Sequence, residues 1–214
     1  MTCPRCSVLE SKFSRQVAEG DRKRYQRRGP DPTTTAIIKA IQAARPSGGT
    51  LLDVGGGIGV IAHELLARGS VDVAVQVEAA PAYVEAARSE AESRGTTARW
   101  RFIQGDLVEV AGEVPSADAV TLDRVVCCYP DYVQLLAISA AKCGRVYALS
   151  YPRDRWYVRL VTGFQNLARR LLGNPFRTFL HAPDAMQRIL VEAGLVRVSH
   201  LPALVWAVDV YARR

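Results

Sequence analysis

A short apolar run that breaks directly into alternating glycines constrains this chain more than any other feature: Leu51-Leu52-Asp53-Val54-Gly55-Gly56-Gly57-Ile58-Gly59-Val60. Leu51 to Val54 reads as a central parallel strand, buried on both faces. Gly55, Gly57 and Gly59 sit at alternate positions, so the backbone can bend tightly and pass close to a ligand without a Cβ in the way. Ile61 to Arg68 then carries Ile61, Leu65 and Leu66 on one side, with Gly69 just beyond, as a helix and its stop. A helix start behind a glycine turn presents free N–H groups and the positive end of the helix dipole.

Many nucleotide-binding folds share such a turn, and the acids around it narrow the choice. Asp53 precedes the first glycine, where it suits water or an ammonium group and would repel a pyrophosphate. The next apolar run, Val71 to Val77, ends in Glu78, twenty-five positions on (78 − 53). An acid at the end of a second strand suits the two hydroxyls of a ribose. Trp100 to Ile103 leads to Gly105-Asp106-Leu107, where an Asp can accept from an exocyclic adenine amine.

These segments, with the strand Ala119-Val120-Thr121-Leu122-Asp123, stand in an order and spacing that resembles the class I S-adenosylmethionine (SAM)-dependent methyltransferases, over roughly residues 30 to 214. The resemblance implies a Rossmann-like, doubly wound α/β sheet of seven strands with an antiparallel last strand. It also implies SAM as methyl donor and S-adenosylhomocysteine as product. Carried over position by position, the cofactor side comprises Asp53, Gly55, Gly57, Gly59, Glu78, Ala79, Asp106, Leu107, Asp123 and Arg124. A dinucleotide dehydrogenase is the competing reading of the glycine turn, and Asp53 fits it less well.

The acceptor side is expected after the fourth and fifth strands, where open parallel sheets bind ligands. Asp123-Arg124-Val125-Val126-Cys127-Cys128-Tyr129-Pro130 departs from the Asn-Pro-Pro-Tyr motif common in amino-methylating enzymes of this superfamily. The layout is loosely similar to magnesium-protoporphyrin O-methyltransferases and to small bacterial methyltransferases. In the former a His typically precedes the Tyr-Pro, and Cys128 stands there instead. Tyr129, Tyr151, Arg153 and Trp156 are the expected substrate contacts: Arg153 for an acidic group and Trp156 for a ring, or else for helix packing. Tyr25, Asp123 and His181 are the catalytic candidates, with a structural cap as the alternative role for His181 and a strand-end ion pair as that for Asp123 and Arg124.

Of 214 residues, 49% are hydrophobic, enough for one domain with a sizeable core. Two parts are expected: residues 1–45 as a helical extension or lid, and 46–214 as the SAM-binding domain. Polarity at Met1 to Arg5 and the lack of any long apolar run point to a cytoplasmic protein without a membrane span. The formal net charge is +7 and only Lys12, Lys23, Lys39 and Lys142 are lysines. The densest patch, Arg22 to Arg28, reads as a solvated face, a nucleic-acid contact or part of a cofactor lid. Five cysteines without a secretion signal argue for thiols. Cys3-x-x-Cys6 has the spacing of half a zinc site and lacks a matching second pair, so it reads as an unpaired N-terminal feature, with a metal or redox role as the alternative, and no metal is expected. Of Cys127 and Cys128, one is expected in the core and the other at the pocket.

Strand and helix signals alternate along the rest. Helices are expected at Thr33 to Ala44 (capped by Thr33 to Thr35), Pro81 to Arg94, Tyr132 to Ala141, Arg155 to Leu172 and Pro183 to Ala193. Strands are expected at Asp118 to Leu122, Arg145 to Ser150, Leu195 to Val198 and Val205 to Tyr211. The function expected is methyl transfer to a small molecule, oxygen favoured over nitrogen or sulfur, by a monomer or homodimer. The alternatives are an RNA or DNA methyltransferase using the Arg-rich helix, and a non-catalytic SAM-binding regulator.

Overall fold

The computed structural model describes residues 13–44 and 48–214. Two helices come first, α1 (Arg15–Arg28) and α2 (Pro32–Ala44). Strand and helix then alternate through β1 (Thr50–Val54), α3 (Val60–Ala67), β2 (Val73–Glu78), α4 (Pro81–Ser93), β3 (Trp100–Gln104), the one-turn α5 (Leu107–Val110), β4 (Ala117–Asp123) and α6 (Tyr132–Ala141). The chain ends with β5 (Cys143–Pro152), α7 (Trp156–Leu171), α8 (Pro183–Glu192), β6 (Leu195–Pro202) and β7 (Trp206–Arg213).

The seven strands lie in the order β3-β2-β1-β4-β5-β7-β6. All pairs from β3 to β5 are parallel, while β7 runs antiparallel between β5 and β6. The order reverses beside β1, which opens a crevice at the carboxyl ends of β1 and β4.

Alternation along each strand divides the core between the two faces. Leu51, Ala74, Ala119 and Ala148 meet Ile37, Ile38 and Ile41 of α2 and Ile61, Leu65 and Leu66 of α3. Their neighbours Leu52, Val75, Val120 and Leu149 meet Leu135 and Leu136 of α6 and Met186 and Leu190 of α8. Each fully buried leucine or isoleucine contributes on the order of 2 kcal/mol, so this two-sided packing dominates the sheet's stability.

Element boundaries follow the sequence reading to within two residues for most elements, with informative exceptions. Asp31, not Thr33 to Thr35, starts α2: its Oδ1 accepts the N–H groups of Thr33 (2.9 Å) and Thr34 (3.2 Å). Carboxylates cap as well as hydroxyls do, and Asp31 sits one place before Pro32 at the helix start. Helix α1 runs to Arg28 and stops at Gly29, whose φ is 69°. The Cys3/Cys6 pair lies outside the described residues. Among the described residues no group of His, Cys, Asp and Glu is arranged to hold a metal, and no helix is long and apolar enough to cross a membrane.

Candidate functional site

The glycine turn is held from below by β2. Gly55 donates its N–H to the Val77 carbonyl (2.7 Å), Gly57 donates to Glu78 Oε2 (2.9 Å), and Gln76 Nε2 donates to the Gly57 carbonyl (2.6 Å). Gly55 and Gly57 have φ of 60° and 58°, in the left-handed region that favours glycine. A Cβ on Gly55 would also stand 2.6 Å from Val125, and one on Gly56 would stand 2.6 Å from Asp53 Oδ2. The turn thus has no room for side chains at the point where it faces the crevice. Gly59 has another use: it opens α3 with φ 78°, a Cβ there would meet Trp100 at 2.8 Å, and it does not line the cavity.

Above this turn lies a cavity of about 630 Å³. Its floor includes Asp53, Gly55, Gly57, Glu78, Ala79, Asp106, Leu107, Asp123 and Arg124, so nine of the ten expected cofactor-side positions meet at one place. Asp53 is 1% exposed; Thr121 Oγ1 donates to its Oδ1 (2.7 Å), and its Oδ2 has no hydrogen-bond partner. Burial, with repulsion from Asp123 and Glu78 added, pushes the Asp53 carboxyl up to about 7 against the pull of Thr121. A buried carboxylate oxygen left unpaired is costly, and a ligand cation or ammonium would satisfy it. Glu78 is buried beside it, its Oε1 accepting from Ala80 N–H (2.9 Å); burial holds its pKa above the ordinary value despite the backbone donors. Asp106 caps α5 through Val108 N–H (2.9 Å) and accepts the Tyr129 hydroxyl (2.8 and 2.9 Å).

The roof comes from the N-terminal helices. Phe13, Asp21, Arg24, Tyr25 and Arg28 line the cavity from above, and Pro30, Asp31 and Thr34 close one side. Side-chain contacts fasten α1 to α4: Tyr83 hydroxyl to Asp21 (2.5 Å), Gln26 to Glu90 (2.7 Å) and Arg15 to Glu85. A second set ties the α1–α2 junction to the end of β4. Arg124 donates to Asp31 (2.5 Å), Thr34 to Asp123 (2.6 Å) and Ser150 to Asp123 (2.5 Å). Burial alone would raise the Asp31 pKa, but the Arg124 guanidinium and Thr34 leave it lowered. Arg124 is the only non-glycine residue with positive φ (61°) among the described residues, and its guanidinium stands 5.2 Å from the Trp206 ring. Asp123 and Arg124 therefore serve a latch at the cavity wall, close to the ion-pair alternative.

The expected catalytic and acceptor residues divide. Tyr25 reaches the cavity, but its hydroxyl donates to Glu64 (2.9 Å), and burial raises its pKa further, which does not suit a base. His181 is outside the lining. Its Nε2 is within hydrogen-bond reach of the Val126 (3.1 Å) and Tyr129 (3.0 Å) carbonyls, and its ring stacks on Tyr132 at 4.1 Å. Burial lowers its pKa; it braces the turn after β4 and does not cap α8, whose N-cap is Ala182. Tyr129 lines the cavity. Tyr151 does not: it is 3% exposed and its hydroxyl donates to Asp209 (2.9 Å) within the sheet. Arg153 turns to the Ala203 carbonyl (2.7 Å), and Trp156 is 73% exposed, without the helix packing that was its other expected role. The segment after β5 leans toward the β6–β7 loop, so neither residue reaches the crevice. Cys127 is buried, while Cys128 lines the cavity, in line with the expected division.

The basic cluster on α1 is largely paired within the protein: Arg22 and Lys23 with Glu19, and Arg24 with Asp21. Roof residues such as Asp21, Asp31, Thr34 and Tyr83 carried no local signal, because their partners lie 62 to 93 positions away.

Residues 51–143 match the family described as "Methyltransferase domain". No curated protein matches the chain. Among solved structures, magnesium protoporphyrin IX methyltransferase from Synechocystis, with bound S-adenosylhomocysteine, superposes with a TM-score of 0.75 at 16% identity, over 97% of this chain and 99% of that one. An O-methyltransferase family protein from Burkholderia thailandensis gives 0.74 at 17% identity, over 95% of this chain and 62% of that one. An O-methyltransferase family 2 protein from Planctomyces limnophilus, in complex with apigenin, gives 0.69 at 18%, over 94% and 62%. The chain thus spans about three fifths of the length of those two proteins. The chain therefore carries a stretch, residues 51–143, that matches a methyltransferase domain, and it shares the fold of structurally characterised SAM-dependent methyltransferases.

Proposed function

We propose that this chain transfers the methyl group of SAM to a small-molecule acceptor, with oxygen as the favoured acceptor atom. The unpaired Oδ2 of Asp53, buried at the floor of the cavity beside the glycine turn, carries the reading. SAM, when bound, supplies an electrophilic methyl carbon on a sulfonium. Asp53 would hold the cationic end, Glu78 the ribose hydroxyls and Asp106 the adenine amine, and these residue types fit those groups in charge and donor sense. Leu107, Ile58 and Tyr83 give the apolar walls that exclude water.

The chain's own part in the reaction is mainly to position the reactants. The donor is already activated, so aligning acceptor and methyl supplies most of the acceleration. Cys128, Tyr129, Arg28 and Arg124 border the rest of the cavity and favour an acceptor with an acidic or hydroxyl group. The pairing of Arg22, Lys23 and Arg24 with acids of their own helix weakens the nucleic-acid alternative. Incubation with SAM and a panel of hydroxylated and carboxylated aromatic acceptors should release S-adenosylhomocysteine, read by mass spectrometry. Cofactor binding without turnover on any acceptor would favour the regulatory reading.

A further inference from the structure

Helix α7 departs from the usual pattern of a surface helix. Its inward face buries only Val158 and Thr162. Its outward face carries Trp156 (73% exposed), Leu160 (65%), Phe164 (73%), Leu167 (54%) and Leu171 (78%). At about 100° per residue these five fall within an arc of roughly 80°, a single stripe along the whole helix. Leu172 and Leu204 extend the patch, the latter held beside it by Tyr157, whose hydroxyl donates to the Leu204 carbonyl (2.6 Å). Soluble proteins rarely leave so continuous an apolar face open without a partner for it.

Charge says what that partner is. From Arg155 to Ala182 the chain has five arginines (155, 159, 169, 170 and 177) and no Asp or Glu. Arg155, Arg159 and Arg170 are exposed. Arg170 borders the stripe at its polar side, with Arg155 just before the first turn, where both would meet phosphates while the stripe enters the acyl boundary; Arg159 on the same side is paired with Asp154. A second copy fits less well: face-to-face pairing would bring Arg155 and Arg170 of the two copies together, and the acid nearest α7, Asp154, is already taken by Arg159.

We propose that α7 is an interfacial helix that lies flat on an anionic lipid bilayer, with the Trp156–Leu171 stripe inserted and the arginines at the headgroups. The inference does not depend on the methyl acceptor. The segment that follows the helix joins it to the cavity wall: Asn166 of α7 donates to the Thr178 carbonyl (2.8 Å), Phe179 N–H donates to the Cys127 carbonyl (2.7 Å), and Phe176 packs against Phe13 at 6.0 Å.

The test is flotation of the full chain with vesicles of phosphatidylcholine alone and of phosphatidylcholine with phosphatidylglycerol in equal parts. Binding is expected on the anionic vesicles only, weakening as salt is added. The double substitution Phe164→Asp with Leu167→Asp should weaken it about tenfold or more, with S-adenosylhomocysteine affinity unchanged. Should that variant misfold, Arg155→Gln with Arg170→Gln, which leaves the core untouched, should lower anionic-vesicle binding several-fold. Failure to float with either vesicle, equal binding to both, or binding untouched by these substitutions overturns the proposal. So does a homodimer by light scattering that the double substitution dissociates, which would make the stripe a protein interface.

Discussion

The floor and the roof of the cavity are built on different physical terms. The floor is part of the sheet: a glycine turn stitched to β2 by one backbone hydrogen bond and two with the buried side chains of Gln76 and Glu78, over strands whose side chains fill the core on both faces. Moving it means breaking the sheet. The roof is side chains: α1 rests on α4 through Tyr83–Asp21, Gln26–Glu90 and the exposed Arg15–Glu85 pair, and its exit is latched by Arg124–Asp31. Exposed ion pairs contribute little, about 0–1 kcal/mol each. Only Ala18 and Tyr25 of α1 are buried. The floor is therefore preorganised, whereas the roof is held by contacts weak enough to open and reclose around a ligand.

That contrast is sharpest at Asp53, where the largest effect is expected. Its pKa rises from an ordinary 3.8 to about 7 in the fold. The folded carboxyl therefore keeps its proton at pH values where the unfolded one has lost it. Its contribution to ligand-free stability accordingly declines as pH rises from about 4 to about 7. Asp53→Asn should raise the melting temperature of the ligand-free protein at pH 8, by roughly 1–3 kcal/mol of stability, while weakening S-adenosylhomocysteine about thirtyfold or more. In the parent protein, cofactor affinity should rise as pH climbs through 7, since a cationic ligand draws the proton off. Calorimetry at several pH values checks both; an Asp53→Asn protein that binds as tightly as the parent would make the floor a packing feature only.

A smaller effect is expected at the roof. Removing the residues before Thr33 should weaken S-adenosylhomocysteine about tenfold, mostly as faster release, and leave a cooperative melt because the sheet core is intact. Unchanged affinity by calorimetry would mean that the helices only cover the cavity.

The same contrast explains what could be read from the chain. The floor was legible because its signals are local: a strand, glycines two apart, and acids at the ends of the next strands. A second apolar run close behind β6 marked β7 as a strand, while its antiparallel direction came from the family resemblance. The roof was visible only as a basic, Tyr-bearing helix, since Asp31 and Arg124 meet across 93 positions and Thr34 and Asp123 across 89. The acceptor side was misjudged at Tyr151, Arg153 and Trp156 because position after β5 says nothing about which way the chain turns. Here it turns toward Leu204 and the β6–β7 loop. Gly59 matched the motif but packs on Trp100, so spacing alone did not separate ligand contact from helix packing.

Isothermal titration of the full chain with S-adenosylhomocysteine, run beside Glu78→Ala, bears on all of this at once. Glu78 is buried against Gly57 and Ala80 at the cavity floor. The expected result is a single saturable site in the parent protein and a loss of affinity of about a hundredfold in the variant, with both proteins melting cooperatively. No binding by folded parent protein, or equal affinity in the two, would contradict a cofactor seated on this glycine turn.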